Sequence, residues 1–190
     1  ITAVHVRKWQ NQLIGSDENY SPTYLKTINN QLSAIFNFAV KYYDLSENPC
    51  RLAGSMGKKH ADEMQIWTVK QFQTAMKYCK QEERRLAFEI MFYAGLRVGE
   101  VLALTPADIL PSKAISITKS LARLHKEDII STPKTPKSNR IVTIPNFLYE
   151  KIQTYIATLY DNTDTTRLFM YAKGVLNREL RRCAERAELS

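Results

Sequence analysis

The sequence has no apolar run of transmembrane length and no charged-then-apolar leader, so neither a membrane span nor a secretory signal is expected. Cysteine is scarce and odd in number. Cys50, Cys79 and Cys183 lie far apart, which argues against a disulfide framework or a paired-cysteine zinc site and suits a reducing cytoplasm. Histidine is equally rare: His5, His60 and His125 are isolated, and none lies in an H-E-x-x-H context. The stretch GSMGKK places a lysine after a glycine, without the spacing or the following hydroxyl of a phosphate-binding loop. No G-x-S-x-G elbow exists, since Ala53 stands two residues before Ser55. Asp and Glu are not grouped as a two-metal site would need. These absences leave no expectation of a nucleotide, a flavin or another cofactor, nor of a catalytic metal.

What the chain does have is basic charge. Lys and Arg number 27 against 19 Asp and Glu, a net +8. The excess lies late: residues 1–63 hold 7 basic and 6 acidic groups, residues 64–190 hold 20 and 13. Between Ser112 and Arg140 there are 7 basic residues against only Glu127 and Asp128. Concentrated positive charge suits a polyanionic partner, because each neutralised phosphate releases counterions. A merely soluble basic protein would show the same total. With 44 % apolar residues, 6 Gly and 7 Pro, the chain is expected to fold.

Periodicity predicts a mainly α protein with a small antiparallel β-sheet, an α+β fold, in two domains. Val4, Trp9 and Leu13 are spaced loosely as one helical face. In SPTYLKTINNQLSAIFNFAVKYY the signal is stronger: Ser21 can cap, Pro22 fits the first helical position, and Leu25, Ile28, Leu32, Ile35, Phe36 and Ala39 recur at helical spacing. Tyr42 and Tyr43 read as core and rim packing. The proline of DLSENPC ends that helix. Residues 53–65, with Gly54 and Gly57 and no period, read as a linker between a domain at 1–52 and another at 66–190. The second opens at Thr68, a plausible N-cap before Val69, Phe72, Ala75 and Met76. A helix over Arg84–Ala94 stops at Gly95, a residue suited to a left-handed terminus. KAISITKS, DIISTP and NRIVTIP read as strands, the last two joined as a hairpin through KTPKS. Helical spacing returns over Asn146–Leu159 and in Leu176, Leu180, Cys183 and Ala187.

The stretch MFYAGLRVGEVLAL is nearly all apolar, yet it holds Arg97 and Glu100. One reading is an ordinary ion pair on an exposed helix. The other is a half-buried arginine held for a phosphate: the planar guanidinium donates two parallel hydrogen bonds to phosphate oxygens, and its charge does not titrate. Glu100, one turn on, is placed to hold that arginine or a neighbour. Lys134, at the tip of the expected hairpin, can reach into DNA and donate a proton to a leaving oxygen.

These residues resemble the tyrosine recombinase, or phage-type integrase, family. Its first box is similar to GLRxxEhhxL, where h is apolar, and the chain reads GLRVGEVLAL; its second resembles KTxxSxRxhxIP, and the chain reads KTPKSNRIVTIP. TINNQLSAIFNFAVKYYDLSENPC is similar to the last helix of the family's core-binding domain, and the match is closest to integrases of mobile elements in Gram-positive bacteria. The resemblance implies site-specific cutting and rejoining of double-stranded DNA through a 3′-phosphotyrosyl link, without ATP or metal. It assigns Arg97 to the scissile phosphate, Lys134 as general acid toward the 5′-oxygen, and Glu100 to a supporting role. Lys137, Ser138 and Arg140 are expected phosphate contacts beside Lys134, unless they are a solvated loop. Lys26, Thr27 and Asn30 lie on the side of the long helix that this family turns to the major groove; a plain solvated face is the other reading.

The family also needs an H-x-x-R box and a later nucleophilic tyrosine. His5, His60 and His125 are followed three residues on by Lys8, Glu63 and Asp128, so the box is absent. The expectation is a middle piece of a longer integrase, with the remaining active-site residues beyond Ser190. Such a piece would bind DNA as a monomer without cutting, while the complete protein would work as a homotetramer on DNA. A naturally shortened, non-catalytic DNA-binding relative is the alternative.

Overall fold

Three helices build the first of two compact units, residues 1–66; the second is 67–190. The computed structural model describes residues 1–61, 63, 66–125, 127–132, 139–160 and 163–189.

In the first unit, α1 spans Ala3–Ile14, α2 Pro22–Tyr42 and α3 Pro49–Ala53. Helix α2 starts where Ser21 Oγ accepts from the Tyr24 N–H and Pro22 supplies a preset φ. Asn48 caps α3 through the Cys50 N–H at 2.8 Å and donates to Ser33 O at 2.9 Å and Asn37 Oδ1 at 2.8 Å, which ties α3 back to α2. Val6, Cys50 and Ala53 form the small core, flanked by Ala3, Leu32 and Phe36.

The face of α1 differs from the periodicity reading. Val4 is exposed, and the buried positions are Val6 and Gln10. Gln10 is inside because its Nε2 donates to Asn29 Oδ1 at 2.7 Å and Gly54 O at 2.9 Å, so partners replace the water it loses. The segment after α3 also packs onto this unit. Met56 is buried, Ser55 Oγ accepts from Asn29 and from Lys26, and the Lys58 N–H donates to Pro22 O. Ile35, Tyr42 and Tyr43 are exposed, against the core and rim packing expected of the two tyrosines, because α2 outruns what α1 and α3 cover.

The second unit is helices around a small sheet. Helix α4 spans Val69–Met76, α5 Glu82–Ala94, α6 Val98–Ala103, α7 Asn146–Thr158 and α8 Lys173–Arg186; a 3₁₀ turn covers Pro106–Asp108. Thr68 and Gln71 cap α4 reciprocally, and α5 ends at Gly95 in the left-handed region. Helix α4 packs on α8 and α5 on α7. Ile90, Ile115, Leu148, Ile152, Phe169 and Cys183 are completely buried at the centre. Each such aliphatic side chain contributes about 1.5–3 kcal/mol on leaving water. Among the described residues no helix is long and apolar enough to cross a membrane.

The strands are β1 (Ile109–Leu110), β2 (Ala114–Ile117), β3 (Ser120–Leu124), β4 (Glu127–Ser131) and β5 (Arg140–Thr143). They form two antiparallel sheets, one in the order β1-β2-β5 and the other a hairpin of β3 and β4. This corrects the strand reading in two ways. KAISITKS is not one strand, since the chain leaves the first sheet after Ile117 and begins β3 at Ser120. β4 and β5 are not hairpin partners: β4 pairs with β3, and β5 with β2, Ile117 facing Arg140. β4 and β5 therefore belong to different sheets. Lys134, Lys137 and Ser138 lie outside the described residues.

Candidate functional site

After Gly95 turns the chain, Leu96 drops into the core and Arg97 becomes the N-cap of α6 with extended backbone, φ −71° and ψ 150°. The orphan N–H groups of the new helix need an acceptor, and Glu100, in the first turn, supplies one. Glu100 Oε2 accepts from the Arg97 N–H at 2.8 Å, and Oε1 accepts from Arg97 Nη1 at 3.0 Å. Arg140, at the start of β5, adds a fork: Nη1 to Oε1 at 2.9 Å and Nη2 to Oε2 at 2.7 Å. Such paired, charge-assisted contacts are the strongest that a carboxylate forms at neutral pH.

The Glu100 side chain is 7 % exposed, Arg140 32 % and Arg97 77 %. Burial alone would push the Glu100 carboxyl up. The Arg140 fork, the Arg97 N–H and the Arg97 guanidinium outweigh it and hold the group at about 2. The same carboxylate raises the pKa of Arg140. Two permanent cations thus share one anion, leaving a net positive charge whose exposed member is Arg97. Its guanidinium is not half-buried, as the sequence reading had it; the buried partner is the glutamate. Among the described residues only Glu100 bonds to the Arg97 guanidinium, through one terminal nitrogen.

A second set of contacts fixes the exit of α6. The Thr105 N–H and Oγ1 both donate to Asp108 Oδ2, at 2.8 and 2.9 Å. Lys119 Nζ lies 2.8 Å from the same oxygen and donates to Thr105 Oγ1 at 3.0 Å. The T-P-A-D string carries the capping pattern that could have revealed the first half; nothing local points to Lys119. Lys119, Arg123 and Arg140, three of the 7 basic residues between Ser112 and Arg140, are tied to carboxylates, so much of that charge is internally matched.

Among the predicted residues, the structure brings Arg97, Glu100 and Arg140 together. Lys26, Thr27 and Asn30 lie on one side of α2 in the first unit. Lys26 Nζ donates to Ser55 Oγ, Thr27 Oγ1 donates back to Thr23 O, and Asn30 is exposed.

The sequence reading missed that Cys79 and Cys183 meet. With Glu179 they put three possible ligand atoms within 4.8 Å of one another. Three ligand atoms fall short of the four that a structural zinc takes. Burial first, then Cys183 and Glu179, pushes the Cys79 thiol up to about 12, and burial raises Cys183 too. Glu179 is already paired with Arg84 at 3.1 Å and Arg182 at 3.4 Å.

A helical unit followed by a unit of helices around a small antiparallel sheet is the fold of solved integrases. The chain belongs to the tyrosine recombinase (integrase) family. It is 26 % identical over 163 residues to a XerC-like tyrosine recombinase of Caldanaerobacter subterraneus, covering 78 % of this chain and 41 % of that protein. It is 32 % identical over 138 residues to the ICEBs1 integrase of Bacillus subtilis, covering 67 % of this chain and 36 % of the relative. The chain thus spans less than half the length of these relatives. Among solved structures, the Tn1549 transposon integrase in complex with a circular intermediate DNA superposes with a TM-score of 0.77 at 17 % identity, over 97 % of this chain and 65 % of that one. A lambda integrase dimer bound to a COC′ core site gives 0.67 at 20 % identity, over 100 % of this chain and 66 % of that one. No family model matches the chain.

Proposed function

We propose that this chain serves a site-specific DNA recombinase, gripping duplex DNA and presenting the arginine that holds the scissile phosphate. The observation that carries the reading is Arg97: an exposed guanidinium anchored on a buried carboxylate that Arg140 locks from the other side. Such a group meets a phosphate without first being ordered, so little entropy is lost on binding. Integrases of the same fold have been solved in complex with DNA, which supports the choice of polyanion.

In this reading a tyrosine oxygen attacks the phosphorus, the bond to the 5′-oxygen breaks, and a 3′-phosphotyrosyl bond forms. Lys134 gives the leaving 5′-oxygen its proton. The 5′-hydroxyl of a partner strand later reverses the step on a new end, so the bond energy is retained and neither ATP nor metal is called for. Arg97 donates N–H groups to the non-bridging oxygens as charge grows on them. Glu100 aims Arg97. Arg140, with both terminal nitrogens on Glu100, supports the site from behind. Lys137 and Ser138 contact the backbone beside Lys134, and Lys26, Thr27 and Asn30 face the groove. None of the 10 tyrosines is assigned as the nucleophile; the chain by itself binds DNA without forming the covalent link. The complete recombinase works as a homotetramer on its site, in the cytoplasm.

Anisotropy of a labelled duplex tests the proposal. Affinity should fall at least about tenfold between roughly 50 and 200 mM salt. Salt-independent binding, or none at low salt, would overturn the DNA reading. A protein–DNA band that survives a denaturing gel would show that a tyrosine of this chain cuts.

A further inference from the structure

Glycine weakens a helix, yet Gly99 is the second residue of the six-residue α6. Its backbone is not in the left-handed region, so what the position needs is space. A methyl group there would stand 2.6 Å from Ser120 Oγ and 2.8 Å from the Leu121 carbonyl oxygen. Both distances are shorter than van der Waals contact, and the second partner is backbone, which cannot rotate aside. Strand β3 therefore rests directly on the backbone of α6.

The rung concerned is the one beside the exit of β4, where Ser120 faces Ser131 and Leu121 faces Ile130. The chain next appears in a strand at Arg140, clamped by Glu100 and facing Ile117. Residues 99 and 100, adjacent in α6, thus hold the two described ends of one connection. Arg97, at the head of the same helix, is the exposed cation.

We propose that Gly99 is a positioning residue. By letting β3 lie against α6, it sets the exit of the β3–β4 hairpin at a fixed place relative to Arg97 and to the Arg140 clamp. Gly99 itself touches no substrate. The functional consequence rests on Arg97 being the phosphate-binding group; the seat does not.

The test uses the 15N-labelled chain. Gly99→Ala should move the amide signals of Ser120, Leu121, Ile130 and Ser131 and the Nε–H signal of Arg97, leaving α1–α3 signals and helical circular dichroism unchanged. Ser120→Val adds bulk from the strand side, where a branched residue is favoured, and should move the same set if Gly99→Ala does not fold. Adding Ser120→Gly to Gly99→Ala removes the hydroxymethyl group and should return the signals part of the way. Unmoved hairpin signals in folded Gly99→Ala, or shifts without that rescue, overturn the seat. A short duplex should shift the Arg97 Nε–H signal in the unaltered chain and shift it less in Gly99→Ala. If the unaltered chain shows no such response, the phosphate reading fails and takes the functional half of this inference with it, and the seat is then judged by the amide signals alone. In the complete recombinase, Gly99→Ala should slow cleavage by about 10- to 100-fold with DNA affinity unchanged; equal loss of both would mark a general structural defect and overturn positioning.

Discussion

Arg140 reaches Glu100 across 40 positions of sequence and takes both of its carboxylate oxygens, at 2.7 and 2.9 Å. The contact joins the first strand residue of β5 to the first turn of α6, and it converts a local cap at Arg97 into a tertiary one.

Removing the Glu100 charge should therefore be felt in stability. Glu100→Gln leaves half-buried Arg140 without its counter-ion, and the expected loss at neutral pH is about 3 kcal/mol. The pH dependence has a defined sign. The folded carboxyl titrates at about 2, below its ordinary 4.5, so its contribution is fully present above pH 4.5 and is lost as pH falls toward 2. Urea melts of both forms between those limits should converge as the pH falls. A gap that stays constant would contradict the assignment.

Arg97 should behave as a binding group with little structural weight. Its side chain is mostly exposed, so Arg97→Ala and Arg97→Lys should each change stability by less than about 1 kcal/mol. Arg97→Ala should reduce the slope of log affinity against log salt by about 0.9, while Arg97→Lys keeps the slope, because one cation is lost in the first and none in the second. Cleavage by the complete protein should fail in both, since lysine lacks the two-pronged geometry. Anisotropy titrations and a cleavage gel separate the two effects.

Asp108 is nearly buried and takes Lys119 and both Thr105 donors. Asp108→Ala strands these groups, with an expected cost of about 2–4 kcal/mol. Lys119→Met keeps the apolar stem and loses only the head, so it should cost less. Thermal melts that rank the two variants in the opposite order would show that Lys119 anchors this corner.

The three thiols should be silent in the folded chain. Cys50, Cys79 and Cys183 are all buried, and burial raises the pKa of each. With Ellman's reagent near neutral pH, no thiol should react quickly in buffer and three should react in guanidinium. Fast reaction of one in buffer would place it at the surface.

The helices were legible where local chemistry announces them. Ser21 before Pro22, Thr68 three before Gln71, and Gly95 after an apolar run each satisfy the end of a helix from within a few residues. The Arg97–Glu100 pair was legible for the same reason, being a cap. What escaped the sequence is everything decided at a distance. Gln10 and Asn29 are polar and buried together, so a search for apolar spacing chose Val4 over Val6. In the β3–β4 hairpin only Ser120 and Leu121 are partly covered and β4 is exposed throughout, so it lacks the alternation that marks a strand and fixes its partner. Cys79 and Cys183 meet only because α4 packs on α8.

Ile117 and Arg140 face each other directly, and 22 residues separate them in sequence. For the three-stranded sheet, the intervening chain is a detour that leaves and returns at one rung. Its length is invisible to the register on either side. A lineage could change the length of that detour while the core strands stayed in step, provided that Lys119 kept its hold on Asp108 and Ser120 and Leu121 kept their seat on Gly99.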